Sequence, residues 1–200
     1  TATDPRNVEA LTWAISFNHG PEAEKLLAWK QGFGTFDSPQ NAFISGKVAM
    51  VLQGVWMANF VRFNRPSMNW GCGPFPSKLP KDTPYPDEPV TFADMDVVTI
   101  PTGCKHPEEA WEVVKFLNTH EGMELVCKGQ GKLTPFKANT PGWIEGDSER
   151  GIKPHDHPYL KVFIDLAGSR NAVSVPKLAV WNEYGSELLD SFDEAFLNKL

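Results

Sequence analysis

The chain has 200 residues, of which 41% are hydrophobic and 22% charged, with a formal net charge of −6. That acidic balance disfavours nucleic acid or an anionic membrane surface as a partner, because both need a basic face. No apolar run approaches the roughly 20 residues of a membrane-crossing helix, and the length suffices to bury about 70% of the unfolded chain's surface, as expected of a soluble globular protein.

The chain opens TATDPRNVEALTW, with no basic start and no apolar stretch of the export-signal kind. The expectation is therefore either a cytosolic protein or a piece of a longer precursor. Asp4-Pro5 starts a helix, with Asp as cap and Pro at the first helical position. Val8, Leu11 and Ile15 repeat at helical spacing until His19-Gly20. Pro21 restarts a second helix through Leu26, Leu27 and Lys30, closed by Gly32. Ser38-Pro39 caps a third, short one that ends at Gly46. A strand over 47–52 follows, then a helix from about Val55 to Arg62.

NWGCGPFP, at 69–76, reads as a short strand with a glycine-relaxed middle. Five prolines from Pro76 to Pro89 make the next stretch an irregular loop. VTFADMDVVTIP, at 90–101, reads as two strand pieces with a polar break at Asp94 and Asp96. Pro107 opens a helix bearing Ala110, Val114 and Leu117 on one face, and Thr119 caps another that runs through Met123 and Val126 to Gly129. Residues 130–158, rich in Gly, Pro, Asn and Asp, should be mostly loop. Pro158 begins a helix that ends at Gly168, and Pro176 begins the last and longest, with Leu178, Trp181, Leu188, Phe192 and Phe196 in one stripe. A helix-rich order with a few short strands predicts an α/β or α+β fold.

Seven tryptophans and thirteen phenylalanines are the oddity of composition. Trp70, Trp143 and Trp181 stand beside Gly or Asn, Trp56 follows Gly54 by two residues, and all four read poorly as simple core filler. Cys72, Cys104 and Cys127 have no metal-type spacing and no CxxC pair. His155-Asp156-His157 supplies two imidazoles and no third ligand nearby, so it reads as a solvated loop. With no P-loop, GxGxxG or Ser-His-Asp order, no cofactor or metal is expected.

Four stretches in this order, FISGKVAMVLQGVW, WGCGPFP, DVVTIPTGCKHPEEAWEVVKFLNTHEGMELV and VPKLAVWNEYGSELLDSF, resemble the extracellular solute-binding proteins of ABC importers. They are similar to family 1, the sugar-binding group that includes maltose-binding protein, in its carboxyl-side portion. The resemblance implies a periplasmic-binding-protein-like (type II) α/β fold, mainly the second lobe with helices of the first. It implies a second-lobe segment over 1–92, a hinge strand and first-lobe helices over 93–135, and a return loop with second-lobe C-terminal helices over 136–200. The implied function is non-enzymatic: two lobes close on a sugar and deliver it to a membrane permease, in the periplasm or outside the cell, with a lipoprotein anchor as one form. Helices deprived of their sheet imply a homo-oligomer or swapped dimer of this portion.

Trp56 follows a Gly-mediated turn, and from the residues alone it could be ligand platform or core. An indole face stacks on the C–H face of a sugar ring, and the resemblance implies that role. Trp181, with Asn182 and Tyr184 beside it, has the spacing of a core residue, and the resemblance implies a place at the cleft. Gln53 could donate and accept at the same cleft. Asp94 could accept from sugar hydroxyls; relatives carry Gly-Gly near 93 and 94, so Ala93-Asp94 departs from the pattern. Asp94 with Asp96 also leaves open a carbohydrate-active hydrolase, which needs a carboxylate pair. A stand-alone interaction module using the exposed aromatics is the third reading.

Overall fold

The structure is a computed structural model. It describes residues 3–17, 21–77, 79–175 and 177–197, with only the backbone of 21 and 22. Two compact units emerge, one from 1–35 with 175–200 and the other from 36–174.

The first unit is helical. α1 (Pro5–Ile15) starts as the sequence dictates: the Asp4 carboxylate accepts the Arg6 N–H at 2.9 Å, and Pro5 takes the first turn, where its missing N–H costs nothing. The expected stop at His19-Gly20 lies outside the described residues. α2 (Pro21–Gln31) agrees with its predicted span. The last helix begins at Trp181, later than predicted, and Pro176 lies outside the described residues; Leu178 therefore precedes the helix and is exposed. This helix, spanning Trp181–Phe196, packs on α1.

In the second unit, α3 (Met57–Asn64) follows the Gly54 turn. β1 (Thr91–Phe92) leads to α4 (Pro107–Leu117), α5 (His120–Gln130), α6 (Leu160–Ala167) and β2 (Ala172–Val173), and the helix at Trp181 becomes α7 in chain order. Pro107 and the acidic pair Glu108-Glu109 favour the α4 N-terminus. Thr119 caps α5 by accepting the Gly122 N–H at 3.1 Å, and Gly131 closes it in the left-handed conformation at φ 66°.

β1 and β2 pair in parallel, Thr91 with Ala172 and Phe92 with Val173. The proline-rich loop before β1 is clamped to the segment before β2. Arg170 donates from its backbone N–H and Nε to the two oxygens of Glu88 at 2.7 and 2.6 Å, and its guanidinium lies 3.7 Å from the Tyr85 ring centroid. The Asn171 amide donates to the Tyr85 and Glu88 carbonyls. An irregular loop is thereby given a fixed course into β1.

Two small cores hold this unit. Phe43, Ile44, Met57 and Val61 form one; Cys127, Trp143 and Leu160 form the other, with Val55, Met123 and Leu133 packed against it.

Several expectations need correction. Residues 38–46 form turns with one helical hydrogen bond (Ser45 N–H to the Asn41 carbonyl, 2.8 Å), because the Asn41 side chain competes for the Phe43 and Ile44 N–H groups and Gly46 turns left-handed at φ 77°. Residues 47–52 are irregular, with bends at 47 and 49, and pair with no strand among the described residues, and neither does 69–76. Of the two strand pieces expected in 90–101, only the first pairs. Extended backbone becomes sheet only where a neighbour takes its hydrogen bonds. β2 carried no strand signal, being two residues between Asn171 and Ser174.

Candidate ligand-binding site

Trp56 stands between the two cores of the second unit: Val55 packs into one and Met57 into the other. Both neighbours are anchored, and the indole between them is left 39% exposed. Gly54 allows this. A Cβ there would fall 2.4, 2.5 and 2.6 Å from three consecutive carbons of the six-membered ring. Distances so nearly equal place that point over the ring face, so the indole lies flat against the glycine backbone. The ring's orientation is fixed at its other end by Nε1, which donates to the Gln53 side-chain oxygen at 3.0 Å. Gln53 and Trp56 thus form one locked pair.

The turn is held from beneath by a loop far along the chain. His157 Nε2 lies 2.9 Å from the Val55 carbonyl oxygen, and its Nδ1 accepts the Tyr159 N–H at 3.0 Å. The expectation of a solvated His155-Asp156-His157 loop is wrong for both imidazoles, which are buried. Desolvation pushes both below their ordinary value of 6.5. His155 Nδ1 accepts the His157 N–H at 3.2 Å, and its buried Nε2 has no hydrogen-bond partner among the described residues. Asp156, by contrast, faces outward and pairs with Arg62 of α3 at 2.7 Å. Among the described residues no group of three or more His, Cys, Asp or Glu is arranged to hold a metal ion.

Asp94 is exposed just after β1, where the Ala93 N–H donates to the Val173 carbonyl at 2.8 Å. Its carboxylate accepts the adjacent Met95 N–H, and no hydrogen bond among the described residues ties it to Gln53 or Trp56. Asp96 is also exposed and is ion-paired with Lys132. In the first unit, Trp181 and Tyr184 bring their rings to 5.8 Å at 37° on α7, with Asn182 exposed beside them. Sequence reasoning therefore finds two local clusters, Gln53 with Trp56 and Trp181 with Tyr184, and one isolated carboxylate.

Two tryptophans read as poor core filler are core or near it. Trp143 is buried, and its Nε1 donates to the Glu124 carbonyl at 3.1 Å. Pro141-Gly142, with Gly142 at φ 83°, turns the loop so that the indole points inward. The buried Glu124 carboxylate accepts the Thr140 N–H at 2.5 Å. Desolvation alone would raise its pKa, and the Thr140 hydrogen bonds with help from His120 hold it below the ordinary value. Trp70 packs edge-on against Tyr159 at 4.8 Å. With Arg62, Asp156, Asn59 and Pro158 it lines a cavity of about 200 Å³ that includes none of the expected site residues.

Residues 20–148, well over half the chain, match the model of the family described as bacterial extracellular solute-binding protein. The chain belongs to that family. Two solved structures share its fold with a TM-score of 0.77 over 98% of the chain at 21% identity: "CpMnBP1 with Mannobiose Bound" and "CpMnBP1 with Mannotriose Bound". The chain spans 46% of the length of those structures. The fold of this family member is periplasmic-binding-protein-like, helix-rich with few short strands.

Neither His157 nor the Arg170–Glu88 clamp carried a local signal. An His-x-His run in a proline-flanked loop looks solvent-exposed, and the partner of His157 lies 102 residues away.

Proposed function

We propose that this solute-binding protein captures a carbohydrate for an ABC import system, with Trp56 as the stacking platform. The observation that carries the reading is the Trp56 indole itself: flat on Gly54, oriented by Gln53, and exposed between two cores. A rigid aromatic plate loses little entropy on stacking against a sugar ring. Sugar complexes among the fold's solved relatives, with mannobiose and with mannotriose, support a short oligosaccharide. Within the second unit Gln53 and Asp94 supply hydroxyl partners, and in the first unit Trp181, Asn182 and Tyr184 form a sugar-binding cluster of their own. This portion acts by binding, and exposed carboxylates at 94 and 96, one of them neutralised by Lys132, support binding over glycoside hydrolysis.

The reading extends to the whole protein. The chain is the carboxyl-side portion of a protein of the maltose-binding group, closing two lobes on its ligand and passing it to a permease in the periplasm or outside the cell. Residues 1–92 and 136–200 belong to the second lobe, and 93–135 to the hinge strand and first-lobe helices. Support comes from two apolar segments that pair with no strand among the described residues, whose Met50, Leu52, Met95 and Val97 are each at least 75% exposed.

Calorimetric titration with mannobiose and mannotriose tests the platform. Trp56→Ala should weaken binding about tenfold or more, taking a stacked nucleobase, worth about 1–3 kcal/mol on an aromatic side chain, as the scale of a lost stacking contact. An alanine variant that binds as tightly as the parent would remove Trp56 from the site, and release of free sugar from chromogenic mannosides would replace transport by hydrolysis.

A further inference from the structure

We infer that His157 is a positioning residue for the Trp56 platform, acting through the Val55 carbonyl. The inference rests on the reading of Trp56 as a ligand surface and adds a residue that governs how that surface is held.

The tautomer follows from the hydrogen bonds. His157 Nδ1 accepts the Tyr159 N–H at 3.0 Å, so its proton resides on Nε2, which donates to the Val55 carbonyl at 2.9 Å. Only this neutral form satisfies both partners. The Val55 carbonyl belongs to the peptide plane that leads directly into Trp56, and the local backbone leaves it free. Met57 N–H bonds to the Gly54 carbonyl at 3.1 Å and Asn59 N–H to that of Trp56 at 3.0 Å, and neither uses the Val55 carbonyl. Among the described residues, His157 supplies the hydrogen bond that the Val55 carbonyl accepts, and no backbone N–H of this turn takes its place.

The imidazole is itself immobilised. It is buried, the Phe163 ring of α6 meets it edge-on at 5.3 Å, and its backbone N–H is held by His155 Nδ1. The same loop takes a second grip on α3 through Asp156 and Arg62. Residues 155–157 therefore hold both the turn that presents the indole and the helix that follows it. The ionisable groups around this pair are His155, Asp156 with its Arg62 partner on α3, and Lys128 of α5, whose charge opposes a second positive charge on His155. Protonation of His157 would place an N–H of Nδ1 against the Tyr159 N–H, so acid should loosen the turn as a mutation does.

The test uses the full chain, with the Trp56 indole N–H resonance assigned by its loss in Trp56→Phe. His157→Leu removes the donor, and His157→Gln offers an amide N–H in its place. The leucine variant should shift or broaden the indole resonance and weaken mannotriose binding about fivefold or more, the consequence of one lost hydrogen bond, and the glutamine variant should recover both. A folded leucine variant with an unchanged indole resonance overturns the inference. Should leucine prevent folding, the wild-type resonance must move with pH below neutrality while that of His157→Gln does not; a wild-type resonance flat across that range also overturns it. A parent protein that binds no mannotriose, but whose indole resonance follows His157, would sink the carbohydrate reading and leave the positioning role standing.

Discussion

Gly54 and Trp56 are separated by one residue and compete for the same space, so a single added carbon tests what the turn is for. In Gly54→Ala the new Cβ would overlap the indole at 2.4–2.6 Å. The obstructing atoms are the end of a side chain with 39% of its surface in water, so the ring can swing aside. Backbone and both cores can stay as they are, and the stability cost should remain below about 1 kcal/mol, under the usual range for overpacking a closed core. The indole cannot, however, keep its bond to Gln53 from the displaced position. The expected outcome is a near-parental urea midpoint together with mannotriose binding as weak as that of Trp56→Ala. A large loss of stability would mean the glycine serves the core, and unimpaired binding would mean the ring's flat seat on it is irrelevant.

The α4–α5 elbow shows the opposite case at the level of the element. Gly122 lies in the first turn of α5, and helix propensity alone would make Gly122→Ala stabilising by up to about 1 kcal/mol. Its Cβ would sit 2.2 Å from the Phe116 carbonyl oxygen and 2.9 Å from that carbonyl carbon. Those are backbone atoms of α4, fixed by its hydrogen bonds, and cannot swing away. The clash should prevail, with a net loss of about 1–3 kcal/mol, read as a lower midpoint in chemical denaturation; a stabilised variant would show that the two helices are free to separate. The elbow also marks what a sequence discloses. α1, α4 and α5 were legible because Asp4-Pro5, Pro107 and Thr119 act on backbone groups two or three residues away. Gln53 and Trp56 were each singled out as ligand candidates, and the bond between them, three residues apart in one turn, came only with the structure. The strands expected over 47–52 and in the second piece of 90–101 did not form among the described residues, because pairing depends on a neighbour that no local pattern specifies. Trp143 was misjudged because its burial depends on Glu124, nineteen residues earlier. His157 escaped notice for the same reason at greater range.

For the whole molecule, acid and exposed apolar surface set the conditions under which it persists. His155 and His157 have pKa values lowered by burial, so between the folded value and 6.5 the unfolded chain binds more protons. Their contribution is fully present above 6.5 and declines as the pH falls through that value, and that of Glu124, also lowered, declines below 4.5. The urea midpoint should therefore be lower at pH 5.5 than at pH 8, and an equal or higher midpoint would contradict the buried neutral pair. Association is governed by different residues. Trp13, Met50, Leu52, Met95, Val97 and Trp111 are each at least half exposed. Burying half a dozen such side chains contributes roughly 10 kcal/mol, comparable with the roughly 4–15 kcal/mol that association costs in lost freedom. The balance predicts weak self-association. A net charge of −6 on each copy opposes it at low ionic strength, and salt screens that repulsion. Sedimentation velocity should thus show a weight-average mass above 22.3 kDa that rises with concentration and with added salt. A monomer at every concentration and ionic strength would mean that the exposed apolar residues need no second surface, and the proposal that this portion normally packs against another half would lose its physical basis.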